Sequence, residues 1–399
     1  MKLSNGRPYL AIPGPSVVPD QVLQAMQRVV PDIYDQSLQE LTAALVPDLR
    51  QVARTEGDVA MYNANGHGVW EAALSNIVSA GESLLCVANG LFGSSWGSMA
   101  QGLGIDVEML DFGMHAPIDL EKFGAKLAED RGHRFKAVLV THVDTSSSYL
   151  NNIAAMRVEL DRWQHPALLM VDCIASLACD QFEMDAWGVD VMVAASQKGL
   201  MLPPGMGFVF FNERAAAIRA AMPRVSRYWD WQPRTRPELY YEYFNGTAPT
   251  HHLFGLQAAL EMLLTEEIER VWARHATLAQ AIWAACDAWS DGGNLRLNVV
   301  DEAQRSRAVT AVALGAPDAT RLRHWLTENT GVTLGIGLGM NTTSDLAADG
   351  FFRIGHMGHV NAHMVLGMLA SVQAGLAALG VAYGPGALDA AAAVNAQGG

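Results

Sequence analysis

Val189-Asp190-Val191-Met192-Val193-Ala194-Ala195-Ser196-Gln197-Lys198 is an apolar run of strand length that ends on an isolated lysine. A short, continuous apolar run followed by polar residues reads as a strand buried on both faces, as a parallel sheet requires. The other lysines are Lys2, Lys122, Lys126 and Lys136, and none occurs from 199 to 399, where arginine carries the positive charge. Two readings of Lys198 stay open on the local sequence. Its stem can lie along apolar surface and lift the ammonium into water. Alternatively the amine remains in apolar surroundings, loses proton affinity and becomes a nucleophile toward carbonyls.

Outward from this run, further apolar stretches stand at Ser83–Ala88, Ala137–Val140, Ala167–Val171 and Gly207–Phe211. The first three and the run at 190–195 are separated by segments long enough for crossover helices, which predicts a mostly parallel sheet flanked by helices. Only Lys198–Met206, with Pro203-Pro204-Gly205, joins the last pair, so one strand is expected to run antiparallel. Arg224–Pro249 is aromatic, polar and Pro-containing, and reads as a long loop over a site or interface, or as a packed connection. A long helical pattern from His252 to Trp289 carries a break near Thr265. Ala308–Leu314, a helix over Asp318–Asn329 and Phe351–Ile354 then suggest a smaller C-terminal α+β domain. The expected divisions are an N-terminal arm (1–20), a large α/β domain (21–265), a small domain (266–385) and a frayed Ala/Gly-rich tail (386–399).

A chain of 399 residues that is 50% hydrophobic can bury a large core. Its net charge of −14, without any Lys/Arg block, argues against nucleic-acid or anionic-membrane partners. An anionic ligand must therefore be held by a few local donors. No uninterrupted membrane span and no apolar leader are read, and a cytoplasmic protein is expected. Cys86, Cys173, Cys179 and Cys286 show no paired spacing and read as buried free thiols.

Ligands of an open α/β sheet bind beyond the carboxyl ends of its strands. Asn89 follows the first run, Thr141-His142 the second, Asp172 the third and Ser196-Gln197-Lys198 the fourth. Each alone could be a cap or turn residue. Together they bring an acid, an amine and hydroxyls to one edge. Asn63-Ala64-Asn65-Gly66-His67-Gly68 precedes the apolar helical segment Val69–Ile77, and backbone N–H groups at such a helix start favour an anion. The spacing is neither GxGxxG nor a P-loop, so a compact phosphate monoester suits it better than a nucleotide. One cofactor would use the lysine for an aldehyde, the helix start for a phosphate and Asp172 for a ring nitrogen. That cofactor is pyridoxal phosphate.

The sequence also resembles the class V aminotransferases, in the alanine–glyoxylate and serine–glyoxylate branch of the fold type I pyridoxal-phosphate enzymes. The resemblance runs from Ile12-Pro13-Gly14-Pro15 to Phe352-Arg353-Ile354-Gly355-His356-Met357-Gly358. Its most specific blocks are Val171-Asp172-Cys173-Ile174-Ala175-Ser176, Asp185-Ala186-Trp187-Gly188-Val189-Asp190, Ser196-Gln197-Lys198-Gly199 and Leu202-Pro203-Pro204-Gly205. It implies a ping-pong transamination between an amino acid and a small 2-oxo acid, glyoxylate foremost. By the same resemblance Lys198 is the Schiff-base lysine and proton shuttle, and Asp172 the partner of the pyridinium nitrogen. Asn65, Gly66 and His67 match the phosphate loop, with Gln197 beside the phosphate or ring hydroxyl. Phe92 matches the ring stacked on the cofactor, and Thr145 a nearby hydroxyl. Thr247 matches a residue reaching the phosphate from a neighbouring subunit, which implies a homodimer with composite sites. Arg353 matches the arginine that grips the substrate carboxylate bidentately.

Two departures from the family pattern are expected to bear on the substrate pocket: Ser146-Ser147-Ser148-Tyr149 in place of a segment with Thr-Gly, and Phe244 in place of a tyrosine. His356, His359 and His363 resemble a metal spacing, but without HExxH or a nearby cysteine no metal is expected. An elimination or desulfuration on the same scaffold would need a mobile cysteine near the pocket, and none lies in an obvious loop. A non-catalytic scaffold retaining the fold is the third reading, against which Lys198, Asp172 and Arg353 all stand.

Overall fold

The computed structural model describes residues 3–398. In chain order the strands are β1 (Tyr9–Ala11), β2 (Asp58–Ala64), β3 (Ser83–Ala88), β4 (Asp106–Asp111), β5 (Phe135–Thr141) and β6 (Leu168–Asp172). They continue as β7 (Val191–Ala195), β8 (Gly205–Phe211), β9 (Arg296–Leu297), β10 (Val309–Ala313), β11 (Val332–Ile336) and β12 (Phe351–Gly355). Two sheets form, one of seven strands in the order β2-β8-β7-β6-β5-β3-β4 and one of five in the order β1-β11-β12-β10-β9.

The seven-stranded sheet is parallel except at β8, which runs antiparallel to both β7 and β2. The short 198–206 link has this consequence because it is too short to carry a crossover. Side chains alternate between two buried faces. Met192 and Ala194 join one core with Leu169, Val171, Val138 and Val140, while Val191 and Val193 join the other with Leu168, Met170, Ala137 and Leu139. Burial on both faces is why these strands read as unbroken apolar runs. Helices Gln36–Ala53, Leu120–Glu129, Ile153–Arg162 and Thr250–Glu266 cover the first face. Gly66–Ile77, Leu91–Gly102 and Glu213–Ala221 cover the second.

The smaller sheet has its own core with helices Ile268–Ser290, Asp318–Thr330 and Ala362–Ala378. Glu267, at φ 70°, breaks the long helical stretch two residues beyond the expected position. One expectation about the chain ends is corrected. Within the expected N-terminal arm, Tyr9–Ala11 pairs in parallel with Val332–Leu334 as an edge strand of the small sheet. The stretch expected to be a frayed tail is instead ordered over Ala387–Gln397, a helix whose Ala387 and Ala391 are fully buried in the small core. Its alanines are strong helix formers and small enough to let it lie close against Ile268–Ser290.

The 224–249 stretch is a packed connection. Trp231 stacks on Phe211 with ring centroids 4.2 Å apart. Buried Arg234 donates from its two terminal nitrogens to the carbonyls of Met61 at 2.8 Å, Tyr243 at 3.1 Å and Tyr228 at 2.5 Å, so backbone carbonyls stand in for an acid partner. All four cysteines are buried and unpaired. Among the described residues no helix is long and apolar enough to cross a membrane.

Candidate active site

The register of the parallel strands fixes the site. Thr141 lies opposite Asp172 on β5 and β6, and Asp172 lies opposite Val193 on β7, so β7 delivers Lys198 three residues past its end at the same edge. Asn65, Gly66, His67, Phe92, Thr145, Asp172, Gln197 and Lys198 line one cavity there, together with Trp70 and Ile174. Thr247 and Arg353 are not part of that lining.

Lys198 donates through Nζ to the carbonyl of Pro13. Its own carbonyl accepts from Ser16 Oγ at 2.7 Å, which ties the N-terminal segment over the lysine loop. Gly14, at φ +100°, sits so near that a Cβ there would lie 2.5 Å from Nζ. Burial, with Arg353's positive charge adding to it, pushes the Lys198 amine down to about 8. Asp172 and Cys179 pull the other way without restoring the usual value.

Asp172 is buried, and that burial lifts its carboxyl to about 7. The amide of Ile174 donates to Oδ1 at 2.7 Å and the indole of Trp70 to Oδ2 at 3.0 Å. An acid so placed, with no cation in hydrogen-bond contact, is suited to a cationic group entering the cavity.

Helix Gly66–Ile77 begins at the cavity. Asn65 caps it by accepting from Gly68 N at 3.2 Å, while the amides of Gly66 and His67 have no partner among the described residues. A Cβ at Gly66 would come within 2.6 Å of Ile174 Cδ1, so the helix start packs directly on the loop after Asp172. Gln197 Oε1 is buried without a partner. Free amides at a helix start, an unpaired amide oxygen and a buried acid opposite a low-pKa amine are the donor set that pyridoxal phosphate would use. The residues fit that group.

Sequence reading missed two supports of this site. Trp70 lies in an apolar helical run and looked like core, yet its N–H orients Asp172 and its ring meets Phe92 edge-on at 6.3 Å. Asp144 accepts from the amides of Phe92 at 2.8 Å, Gly93 at 2.9 Å and Ser146 at 2.9 Å, and so pins the helix start that carries Phe92. A Cβ at Gly90 would fall 2.2 Å from the Asp144 carboxyl carbon, so glycine there is what admits the acid. An acid five residues before a tyrosine gave no local sign of either contact.

Arg353 reaches the region from β12. It donates from Nε to the Ile336 carbonyl at 2.7 Å and from Nη1 to the Thr145 carbonyl at 2.8 Å, leaving Nη2 unpaired among the described residues. Burial lowers its pKa to about 10, still a cation at neutral pH. Nε and Nη1 are thus committed to carbonyls, and Nη2 is the nitrogen left to pair with a further group.

Neither departure from the family pattern lines the cavity. Ser146 Oγ donates to Asp144 at 2.5 Å, Ser147 O accepts from Asn298 at 2.8 Å, and Ser148 Oγ accepts from Ala311 N at 3.1 Å. Ser147 and Ser148 therefore tie this loop to Asn298 and to β10 of the smaller sheet, while Ser146 stays with Asp144. Phe244 is fully buried in the large core. Thr247 is exposed, its carbonyl accepting from Asn63 Nδ2 at 2.9 Å. His356 is buried with both ring nitrogens engaged, by the Arg307 carbonyl at 2.9 Å and Thr310 Oγ1 at 2.9 Å, whereas His359 and His363 are exposed. No cluster of three or more metal-ligating side chains occurs among the described residues.

The family described as Aminotransferase class-V matches residues 8–364. A serine–glyoxylate aminotransferase of Methylorubrum extorquens is 35% identical over 97% of this chain and 95% of its own. That of Arabidopsis thaliana is 33% identical over 92% of this chain and 90% of its own. The crystal structure of a pyridoxamine–pyruvate aminotransferase from Mesorhizobium loti superposes with a TM-score of 0.88 at 25% identity, covering 99% of this chain and 98% of that one.

Proposed function

From the premise that the chain belongs to the class-V aminotransferases and works with pyridoxal phosphate, we propose that it transfers the amino group of an α-amino acid to a small 2-oxo acid, glyoxylate foremost. The observation that carries the proposal is the sharing of one cavity by Lys198, Asp172 and the free amides at the start of helix Gly66–Ile77. Pyridoxal phosphate, when bound, supplies a carbonyl carbon for an amine and a pyridinium ring that withdraws electrons from the carbon bearing that amine.

Each residue then has a task its surroundings suit. Asp172, held by Trp70 and Ile174, keeps a proton on the ring nitrogen, and the cation it meets there restores its own ionisation. The Gly66 and His67 N–H groups would hold the phosphate with the helix dipole behind them, and Phe92 would offer an aromatic surface to the ring. Lys198 is the covalent anchor. Once free, its Nζ accepts the proton leaving the substrate α-carbon, a role matched to an amine whose pKa lies near 8. Arg353 takes the substrate carboxylate on the unpaired end of its guanidinium.

The proposal includes a homodimer in which Thr247 approaches the neighbouring chain's phosphate site. Thr247 is exposed and outside its own cavity, which supports this reading. Val29 and Tyr34, 91% and 76% exposed, add apolar surface, and His251 meets the Arg28 carbonyl at 3.1 Å, so that segment adjoins the Thr247 loop. A reducing, cytoplasmic location suits the four buried free thiols.

Purified holoenzyme should absorb in the visible, lose that band with its amino donor and regain it on adding glyoxylate. A panel of serine, alanine, aspartate and ureidoglycine against glyoxylate and pyruvate identifies the pair. Failure of every donor to bleach the band would sink the proposal.

A further inference from the structure

A second cleft, a cavity of about 410 Å³, shares no lining residue with the cofactor cavity. One wall comes from the large domain at His142, Ile153 and Trp187, and the other from the 301–307 connection of the small domain. Four features there have no use in transamination.

His142 is only 2% exposed, and its buried Nδ1 has no hydrogen-bond partner among the described residues. A buried polar atom left unpaired in this way is costly unless a ligand or water completes it. Helix Ile153–Arg162 starts on the cleft. Asn152 caps Ala155 N at 3.0 Å, and the amides of Ile153 and Ala154 are left without protein partners. The Arg307 guanidinium also lines the cleft. Its nearest acid is Asp180, 4.0 Å away, and that carboxylate already accepts from Arg307 N at 2.8 Å and Ser306 Oγ at 3.0 Å. The cleft's own acid, Asp301, turns back to accept from Ala303 N at 3.0 Å. Finally, Trp187 and Ile118 offer an apolar wall.

We infer that this cleft is a second ligand site, for a small amphipathic carboxylate. The anionic end would take the Arg307 guanidinium, the Ile153 and Ala154 amides and the His142 imidazole, and the apolar body would lie on Trp187. Guanidinium forks and free helix-start amides both select oxyanions, and pockets between domains are common ligand sites. Because both domains contribute walls, an occupant ties them together and slows turnover without competing for the amino donor.

The test is calorimetric titration of the holoenzyme with phenylacetate, and with 2-phenylethanol as the same body without the charge. Saturable phenylacetate binding is expected, with the alcohol at least about tenfold weaker. Ala303→Trp, a change on an exposed wall residue, should weaken phenylacetate at least about tenfold while leaving basal activity and the cofactor band unchanged. Arg307→Leu should weaken it similarly, and Ala303→Trp still decides the matter if that variant folds poorly. Equal affinity for acid and alcohol would overturn the inference. So would binding untouched by Ala303→Trp, inhibition competitive with the amino donor, or no saturable binding up to roughly 20 mM.

Discussion

The indole N–H of Trp70 donates to Oδ2 of Asp172 at 3.0 Å, while the ring of the same tryptophan lies edge-on to Phe92. One side chain thus contacts both the acid and the aromatic ring that line the same cavity. Trp70→Phe keeps the second contact and deletes the first. A hydrogen bond to a charged group contributes about 1.5–3 kcal/mol, so cofactor affinity should fall by roughly ten- to a hundredfold. Titration of the apoprotein with pyridoxal phosphate, followed by absorbance, measures this. Unchanged affinity would remove Trp70 from the site.

Lys198→Ala should abolish the visible band of the lysine-bound cofactor and lower turnover by at least about a thousandfold, since anchor and proton carrier are lost together. An added small amine such as methylamine should recover part of the rate by carrying the α-proton. If band and turnover both persisted, Lys198 would be neither anchor nor shuttle.

The depressed amine predicts a pH profile. Below about 8 the Lys198 amine is mostly protonated and cannot attack a carbonyl. The rate of cofactor capture by apoprotein should therefore rise about tenfold per pH unit toward 8 and level off above it. Stopped-flow absorbance at a series of pH values tests it. A flat profile from 6 to 9 would contradict the assigned environment.

Asp172 predicts the opposite trend for stability. Burial raises its carboxyl from the usual 3.8 to about 7 in the cofactor-free protein, so between those values the folded chain holds a proton that the unfolded chain has lost. Its contribution is fully present below about 4 and declines as pH rises through 7. Denaturant melts of apoprotein should show wild type losing stability relative to Asp172→Asn over that window. Saturating cofactor should shrink this difference in the wild type, because a pyridinium cation stabilises the ionised acid.

Arg353→Lys keeps the charge and loses the planar fork, along with the bond to Thr145 O or to Ile336 O. Losing the carboxylate contact should lower kcat/KM for the amino donor by about a hundredfold, with the cofactor band intact. Steady-state kinetics with the best donor would reveal it. An unchanged kcat/KM would exclude Arg353 from substrate binding.

What the sequence revealed depended on how each element is buried. The runs at β5, β6 and β7 were legible because both faces are covered, and the polar residues after them marked the ligand edge. β2 and β4 were not, since each is an edge strand; β4, Asp-Val-Glu-Met-Leu-Asp, is largely exposed and too polar to stand out. The short β11 and the C-terminal helix hid in Gly- and Ala-rich stretches whose structure comes from packing against a neighbouring element. Lys198 and Asp172 could be found as charges out of place in apolar surroundings. Trp70 could not, because only the fold turns its one polar atom toward the acid.

Arg353 spans from β12 to a carbonyl of the large domain, so the group proposed to meet the substrate is also a strut between the two halves. Redesign toward amines that lack a carboxylate is thus not a local edit. Replacing the arginine would empty the acid-binding position and release the brace in a single step. A variant accepting such amines would need a new tie between Thr145 and the small sheet before it needed a new pocket.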